Sequence, residues 1–214
     1  MARRHDLSVY FVTDPVLCAG RGVVETALAA VQGGATLVQL RDPQANGRVL
    51  YETARALVEA LRPSGVPLIV NDRPDIALAA GAAGVHVGQG DLPAAVVRQL
   101  LGPGAIVGLS VTDPAQLADV PWDCVDHLGA GPVFSTATKA DAAPAVGLAG
   151  LAAVCAQARC PVVAIGGIGL AEAGACIQAG ADGVAVVSAI AAAADPAAAS
   201  RQLAAAVKEA RGHG

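Results

Sequence analysis

Eight short apolar runs recur along the 214 residues, each closing on polar residues and each followed by a stretch with helical spacing. They lie at 7–12, 37–40, 66–70, 84–87, 105–109, 125–129, 161–165 and 183–187. Almost every position in them is apolar, the pattern of a parallel strand buried on both faces. Helical spacing predicts helices over 23–31, 48–61, 74–80, 93–101, 114–120, 148–157, 171–178 and 196–211. Gly33-Gly34, Pro63 with Gly65, Gly81, Gly102 and Gly180 punctuate them. Asp195, ahead of Pro196, is placed to cap the last helix. The Ala-rich stretch 189–194 reads as a loop or a helix start. The chain is therefore expected to be α/β, a single (β/α)8 TIM barrel with residues 1–214 as one domain, since no linker-like segment divides it. A doubly wound open sheet is the alternative. It usually needs fewer strands, and no Gly-x-Gly-x-x-Gly follows the first run.

Composition removes several function classes. With 54% hydrophobic and 15% charged residues, extended disorder is not expected. No uncharged apolar stretch is long enough to span a membrane, and the basic start Met1-Ala2-Arg3-Arg4 lacks the apolar core of a signal peptide, so cytoplasmic residence is expected. Net charge is −4 and aromatics are 2%, which argues against a nucleic-acid surface. The five cysteines, Cys18, Cys124, Cys155, Cys160 and Cys176, include no Cys-x-x-Cys pair, so neither a disulfide framework nor a zinc site is expected. Small-molecule substrates are the expected partners, and a homo-oligomer is compatible with the sequence.

In a barrel of this kind the reactive groups gather where the strands end. Here the ends read Gln39-Leu40-Arg41-Asp42, Asn71-Asp72-Arg73, Gly88-Gln89-Gly90-Asp91, Gly108-Leu109-Ser110, Thr136-Ala137-Thr138-Lys139, Gly166-Gly167 and Val187-Ser188. Asp72 and Asp91 follow adjacent strands, so their carboxylates can converge on a Mg2+ ion. As a competing role, each precedes a Pro-started helix and can cap it. Gly166-Gly167 and Val187-Ser188 follow the seventh and eighth strands, where backbone N–H groups bind phosphate in such barrels. Gln39 and Arg41 alternate along the second strand and point into the barrel mouth, where Arg41 can grip a diphosphate or pair with Asp72 or Asp14. Thr136, Thr138 and Lys139 supply two hydroxyls and one ammonium, and the chain holds only one other lysine, Lys208. His86 and His127 lie inside strands and read as core histidines. Two anion sites beside an acidic pair suggest one substrate with a metal-bound diphosphate, lost as a leaving group, and a second substrate with a monophosphate.

With Tyr10-Phe11-Val12-Thr13-Asp14, Gly84-Val85-His86-Val87-Gly88-Gln89, Gly129-Ala130-Gly131-Pro132-Val133-Phe134, Ala164-Ile165-Gly166-Gly167-Ile168 and Gly180-Ala181-Asp182-Gly183-Val184-Ala185-Val186-Val187-Ser188, these motifs make the chain resemble the thiamine phosphate synthase family almost end to end. The resemblance implies a transferase joining 4-amino-2-methyl-5-(diphosphooxymethyl)pyrimidine to a thiazole phosphate. The pyrimidine diphosphate ionises first, and the thiazole nitrogen captures the cation. It implies that Asp72 and Asp91 bind Mg2+. Gln39, Arg41, Asn71, Ser110 and Lys139 would contact the pyrimidine diphosphate, with Arg41, Ser110 and Lys139 catalytic. Thr136, Thr138, Gly166, Gly167, Val187 and Ser188 would hold the thiazole phosphate. One position departs: the family carries a Lys after Gln-x-Arg-Asp, and here Pro43 stands there, with no N–H to donate. Arg48, a helical turn later, is a candidate substitute. The related thiazole tautomerase, which only moves a proton, and a non-catalytic thiazole phosphate-binding protein are the competing readings. The tautomerase typically carries a His where this chain has Pro132.

Overall fold

The computed structural model describes residues 5–136 and 144–212. Strands β1 (Val9–Val12), β2 (Leu37–Leu40), β3 (Leu68–Asn71), β4 (Gly84–Val87), β5 (Ile106–Val111), β6 (His127–Ala130), β7 (Val162–Ile165) and β8 (Gly183–Val186) pair in sequence order, all parallel, and β8 closes onto β1. Between them run α1 (Val23–Gln32), α2 (Gly47–Leu61), α3 (Pro74–Ala80), α4 (Ala94–Leu101), α5 (Gly147–Gln157) and α6 (Leu170–Gln178), with α7 (Ser188–Ala191) and α8 (Pro196–Gly212) after β8. This is the TIM barrel expected from the eightfold alternation.

Most strands are only four residues long and nearly every strand position is buried, because each strand has side chains on both faces to cover. Alternation divides these side chains into two sets. Leu7, Tyr10, Val12, Leu37, Ile69, Ile106, Val163 and Ala185 fill the barrel interior. Val9, Phe11, Val38, Leu40, Val70 and Val85 face the helices, together with Ala27, Leu57, Leu151 and Leu203. Leu57 of α2 is fully buried, and a side chain so placed contributes about 1.5–3 kcal/mol.

Several boundaries move from the sequence reading. β1 and β3 begin two residues later, β6 also starts two residues later, and β5 runs two residues further, to Val111. The predicted helix at 114–120 is a 3-10 turn, Pro114–Asp119, boxed by Asp113 and Gln116. The stretch at 189–194 is a helix start, since α7 begins at Ser188. Asp195 caps α8 as expected, accepting from the Ala198 N–H at 2.9 Å.

The N-terminal end of the barrel carries structural polarity. Arg98 of α4 donates to Asp126 at 2.5 Å, with the two side chains 17% and 11% exposed. It also donates to the carbonyls of Cys124 and Ala105, and Asp126 accepts from the Val107 N–H at 2.8 Å. The pair ties α4 to the segments entering β5 and β6.

Candidate active site

At the opposite end the strands stop on polar residues, and alternation aims these into one cavity of about 200 Å3. Its lining includes Tyr10, Gln39, Arg41, Asn71, His86, Ser110, Pro132, Thr136, Gly166, Gly167, Val187 and Ser188. An outer cleft of about 700 Å3 shares Thr136, Gly167 and Ser188 with it and adds Asp14 and Glu172. Both acids hold backbone in place. Asp14 accepts from the Val16 and Leu17 N–H groups, and Glu172 from Gly169.

Gln39 on β2 is 4% exposed and donates from Nε2 to the Tyr10 hydroxyl at 2.6 Å. The end of β2 is locked by Thr13, whose Oγ1 accepts from the Arg41 N–H at 3.0 Å. Ser110 on β5 has His86 Nε2 2.9 Å from its hydroxyl, and its carbonyl accepts from Gln89 at 2.7 Å. Burial lowers the His86 pKa to about 4, against the opposing pull of Asp91, so the ring is neutral near pH 7. Behind it stands His127, 5.5 Å away between ring centroids, with its Nδ1 3.0 Å from His5 Nε2. Burial, and then His86 and His5, hold His127 well below the usual histidine range.

Asp72 sits just past β3 with φ +59°, the one non-glycine positive φ among the described residues. Its N–H donates to the His86 carbonyl, and its carboxylate accepts from Asn71 Nδ2 at 2.5 Å. Burial first, and then the hydrogen bond and charge of Asp91, push the Asp72 carboxyl up to about 6. Asn71 and the Arg41 guanidinium pull it the other way. Asp91 in turn accepts from the Gly88 N–H at 2.8 Å. The capping role considered for these acids is not what the structure has. The residue preceding α3 is Arg73, that preceding α4 is Pro93, and neither cap is made by a side chain. The left-handed turn at Asp72 points its carboxylate at Asp91 instead.

After β7, Gly166 and Gly167 have φ +96° and +66°, a conformation that glycine takes without strain. They also pack closely. A Cβ at Gly166 would lie 2.4 Å from Pro132 Cβ, and one at Gly167 would lie 2.6 Å from the Ser135 carbonyl. These contacts bind the β7 turn to the segment leading to Thr136, and Val187-Ser188 at the start of α7 follows on the neighbouring strand.

The model of a protein family described as thiamine monophosphate synthase matches residues 9–190. The chain belongs to this family. Relatives named thiamine-phosphate synthase include one from Xanthobacter autotrophicus, 56% identical over 99% of this chain and 100% of its own length. Another, from Laribacter hongkongensis, is 56% identical over 95% of this chain and 96% of its own. Among solved structures, thiamine phosphate pyrophosphorylase from Pyrococcus furiosus superposes with a TM-score of 0.87 at 35% identity, covering 96% of this chain and 98% of that one. A 3-hexulose-6-phosphate synthase, at 20% identity and TM-score 0.69, shares the fold.

Within this family frame, the structure brings together Gln39, Arg41, Asn71, Ser110, Thr136, Gly166, Gly167, Val187 and Ser188 around one cavity, and sets Asp72 against Asp91 beside Asn71 and Arg41. Thr138 and Lys139 lie outside the described residues. Arg48 is exposed on the first turn of α2 and does not line the cavity, so nothing here places it as a substitute for the lysine absent at Pro43. Two cavity residues went unassigned at the level of sequence. His86, read as a core histidine, lines the cavity and meets Ser110; Tyr10, quoted only within a motif, holds Gln39. The signal for both was parity: Tyr10 shares its face with Val12, and His86 with Gly84 and Gly88.

Proposed function

We propose that this chain joins 4-amino-2-methyl-5-(diphosphooxymethyl)pyrimidine to a thiazole phosphate, releasing diphosphate and forming thiamine phosphate. We read residues 1–214 as one domain acting on these small molecules in the cytoplasm. The observation that carries the proposal is the placing of Arg41, Asn71 and Ser110 on one cavity whose other wall is Gly166, Gly167 and Ser188, with Asp72, set against Asp91, beside Asn71 and Arg41.

Asp72 and Asp91 fit a divalent cation because the charge of Asp91 raises the cost of ionising Asp72, and a cation between them would relieve that repulsion. Among the described residues no third acid, His or Cys completes a metal cluster, which leaves the remaining positions to substrate oxygens and water. When bound, Mg2+ supplies positive charge against the diphosphate.

The chain's own groups act as follows. Arg41, fixed at the end of β2 by Thr13, and Lys139 hold the diphosphate and stabilise the charge that grows on it as its C–O bond breaks. The cation left on the pyrimidine methylene sits beside a neutral His86, so the lumen adds no positive charge against it. The thiazole nitrogen closes the new C–N bond, with its phosphate on the Gly167 and Ser188 backbone and on Thr136 and Thr138. A proton-transfer tautomerase would need a base where Pro132 lines the cavity, and a proline offers none.

The test is direct. Purified protein is incubated with both substrates, in Mg2+ or in EDTA, and thiamine phosphate is measured. Product in Mg2+ and none in EDTA is expected. Absence of product in Mg2+, with thiazole phosphate bound, overturns the proposal.

A further inference from the structure

The outer wall of the barrel that runs from Leu78 on α3 to the end of α4 is apolar where helices normally carry charge. Between Ile76 and Gly104 the only charged side chains are Asp91 and Arg98. Both are engaged elsewhere: Arg98 turns inward onto Asp126, and Asp91 accepts from the Gly88 N–H. Asp75, at the start of α3, is paired with Arg73. Leu78 is 63% exposed, and on the neighbouring α4 Val96 and Leu100 are 38% and 55% exposed, one turn apart. Leu92, four residues before Val96, is 45% exposed. Together these four leave on the order of 350 Å2 of apolar surface in water, within the range of the largest and often functional patch on a monomer. Other helices differ. α2 exposes Arg48, Glu52, Arg55 and Glu59, and α8 exposes Arg201, Lys208, Glu209 and Arg211. α5 is uncharged too, but among the described residues Leu148 is its one large exposed apolar side chain.

We propose that this wall is the interface of a two-fold symmetric homodimer, with a second copy of the chain as its occupant. Charge selects that occupant. The chain has a net charge of −4, so two copies repel over most of their surface and approach most easily where charge is missing. Around a two-fold axis each group near the axis meets its own copy, so any charge there faces a like charge. A strongly charged partner or an anionic membrane asks for complementary charge, which the wall does not offer. The area fits as well. A stable interface takes about 800 Å2 from each partner, with an apolar centre and a polar rim. Leu78, Leu92, Val96 and Leu100 supply the centre, and Gln99 and the Arg73–Asp75 pair are polar groups beside it.

Sedimentation equilibrium on the wild-type protein reads the dimer dissociation constant, expected at about 10 µM or tighter. Val96→Glu/Leu100→Glu puts acids on the face of both copies and should raise that constant at least about 100-fold. Val96→Lys/Leu100→Lys should do the same. An equal mixture of the two variants should pair again, as a heterodimer, because only there does an acidic face meet a basic one. Both positions face solvent in the single chain, so the substitutions leave it folded, which circular dichroism checks. Val96→Asn/Leu100→Gln removes apolar surface without adding charge and should weaken the dimer at least about tenfold. Leu170→Glu, at a 49% exposed leucine on α6, should leave it intact. A wild type that stays monomeric at about 100 µM overturns the proposal. So does a dimer that Val96→Glu/Leu100→Glu leaves intact or that Leu170→Glu dissociates, since the interface then lies elsewhere. A mixture of acidic and basic variants that fails to pair overturns it equally.

Discussion

Gly108→Ala tests whether the interior histidines support the candidate site. Gly108 lies on β5 opposite His86, and its missing side chain leaves room for two rings. A Cβ there would stand 2.3 Å from His86 Nδ1 and 2.5 Å from His127 Nε2, where ordinary contact begins at 3.4 Å. Each ring must therefore retreat by about 1 Å, and neither has slack: His127 is 0% and His86 8% exposed. Overpacking of this kind costs about 1–3 kcal/mol. Retreat of His86 also stretches its 2.9 Å contact with Ser110, a loss of about 0.5–1.5 kcal/mol. The sum, about 1.5–4.5 kcal/mol, lowers the Tm of a chain this size by roughly 3–18 °C. A Ser110 hydroxyl that follows the retreating ring by up to about 1 Å should lower kcat/KM by as much as about 100-fold at a temperature where the variant is still folded. The assay is thermal unfolding followed by circular dichroism, with thiamine phosphate formation measured alongside. Gly104→Ala is the matched control. Its Cβ meets nothing within 4 Å and the backbone φ is not positive, so stability should stay the same or rise by up to about 1 kcal/mol. If Gly108→Ala unfolds within 2 °C of the wild type and keeps full turnover, the argument that the histidine stack positions Ser110 is wrong.

Four other outcomes are expected. Because the Asp72 pKa is raised to about 6, protonation competes with metal binding, and apparent Mg2+ affinity by titration calorimetry should fall about tenfold between pH 7.5 and pH 5. A raised carboxyl pKa means the fold holds that proton more tightly than the unfolded chain does. In EDTA, Asp72→Asn should therefore be the more stable protein at pH 7, with the gap closing as pH falls from 6 towards 4; a gap that widens contradicts the like-charge reading. Lys139→Ala should lower kcat/KM for thiamine phosphate formation by about 100-fold or more, since Pro43 leaves it the one ammonium expected at the diphosphate; near-normal turnover removes Lys139 from the site. Asp126→Asn should lower stability by about 3 kcal/mol in denaturant unfolding while leaving kcat unchanged, because it breaks the Arg98 pair at the other end of the barrel.

The barrel was legible because its strands have no solvent face. A run such as Val38 to Leu40, or Val162 to Ile165, is apolar on both sides, and only a doubly covered parallel sheet asks for that. Ends were less legible. Whether Val66 and Pro67 join β3, or Ser110 and Val111 extend β5, depends on which neighbour reaches them across the twist, and no single residue encodes it. In the site, parity along β2 was enough to aim Gln39 and Arg41 together. Asp72 was harder to read. Before Arg73-Pro74 an Asp looks like a helix cap, and only the left-handed φ, a backbone property fixed by the β3–β4 pairing, turns it towards Asp91. His86 was hidden for a related reason: an inward histidine within an apolar strand has the same local pattern whether its partner is core or Ser110.

The two ends of the barrel show opposite electrostatic logic. At the N-terminal end, Asp126 is met by Arg98 and a backbone N–H, and every oxygen named there has a donor. At the C-terminal end, Asp72 is held against Asp91 in a strained backbone conformation. A fold shaped by stability alone would replace one acid of that pair by an amide, removing the repulsion at no loss of volume. The sequence instead spends Asn71, Gly88 and the carbonyl of His86 on holding the two acids in register. Such support is intelligible when the groups are oriented for something outside the chain. In the function proposed above that partner is a cation carried with a diphosphate, which would relieve the repulsion between the two acids; a simple anion held by the glycine turns would not.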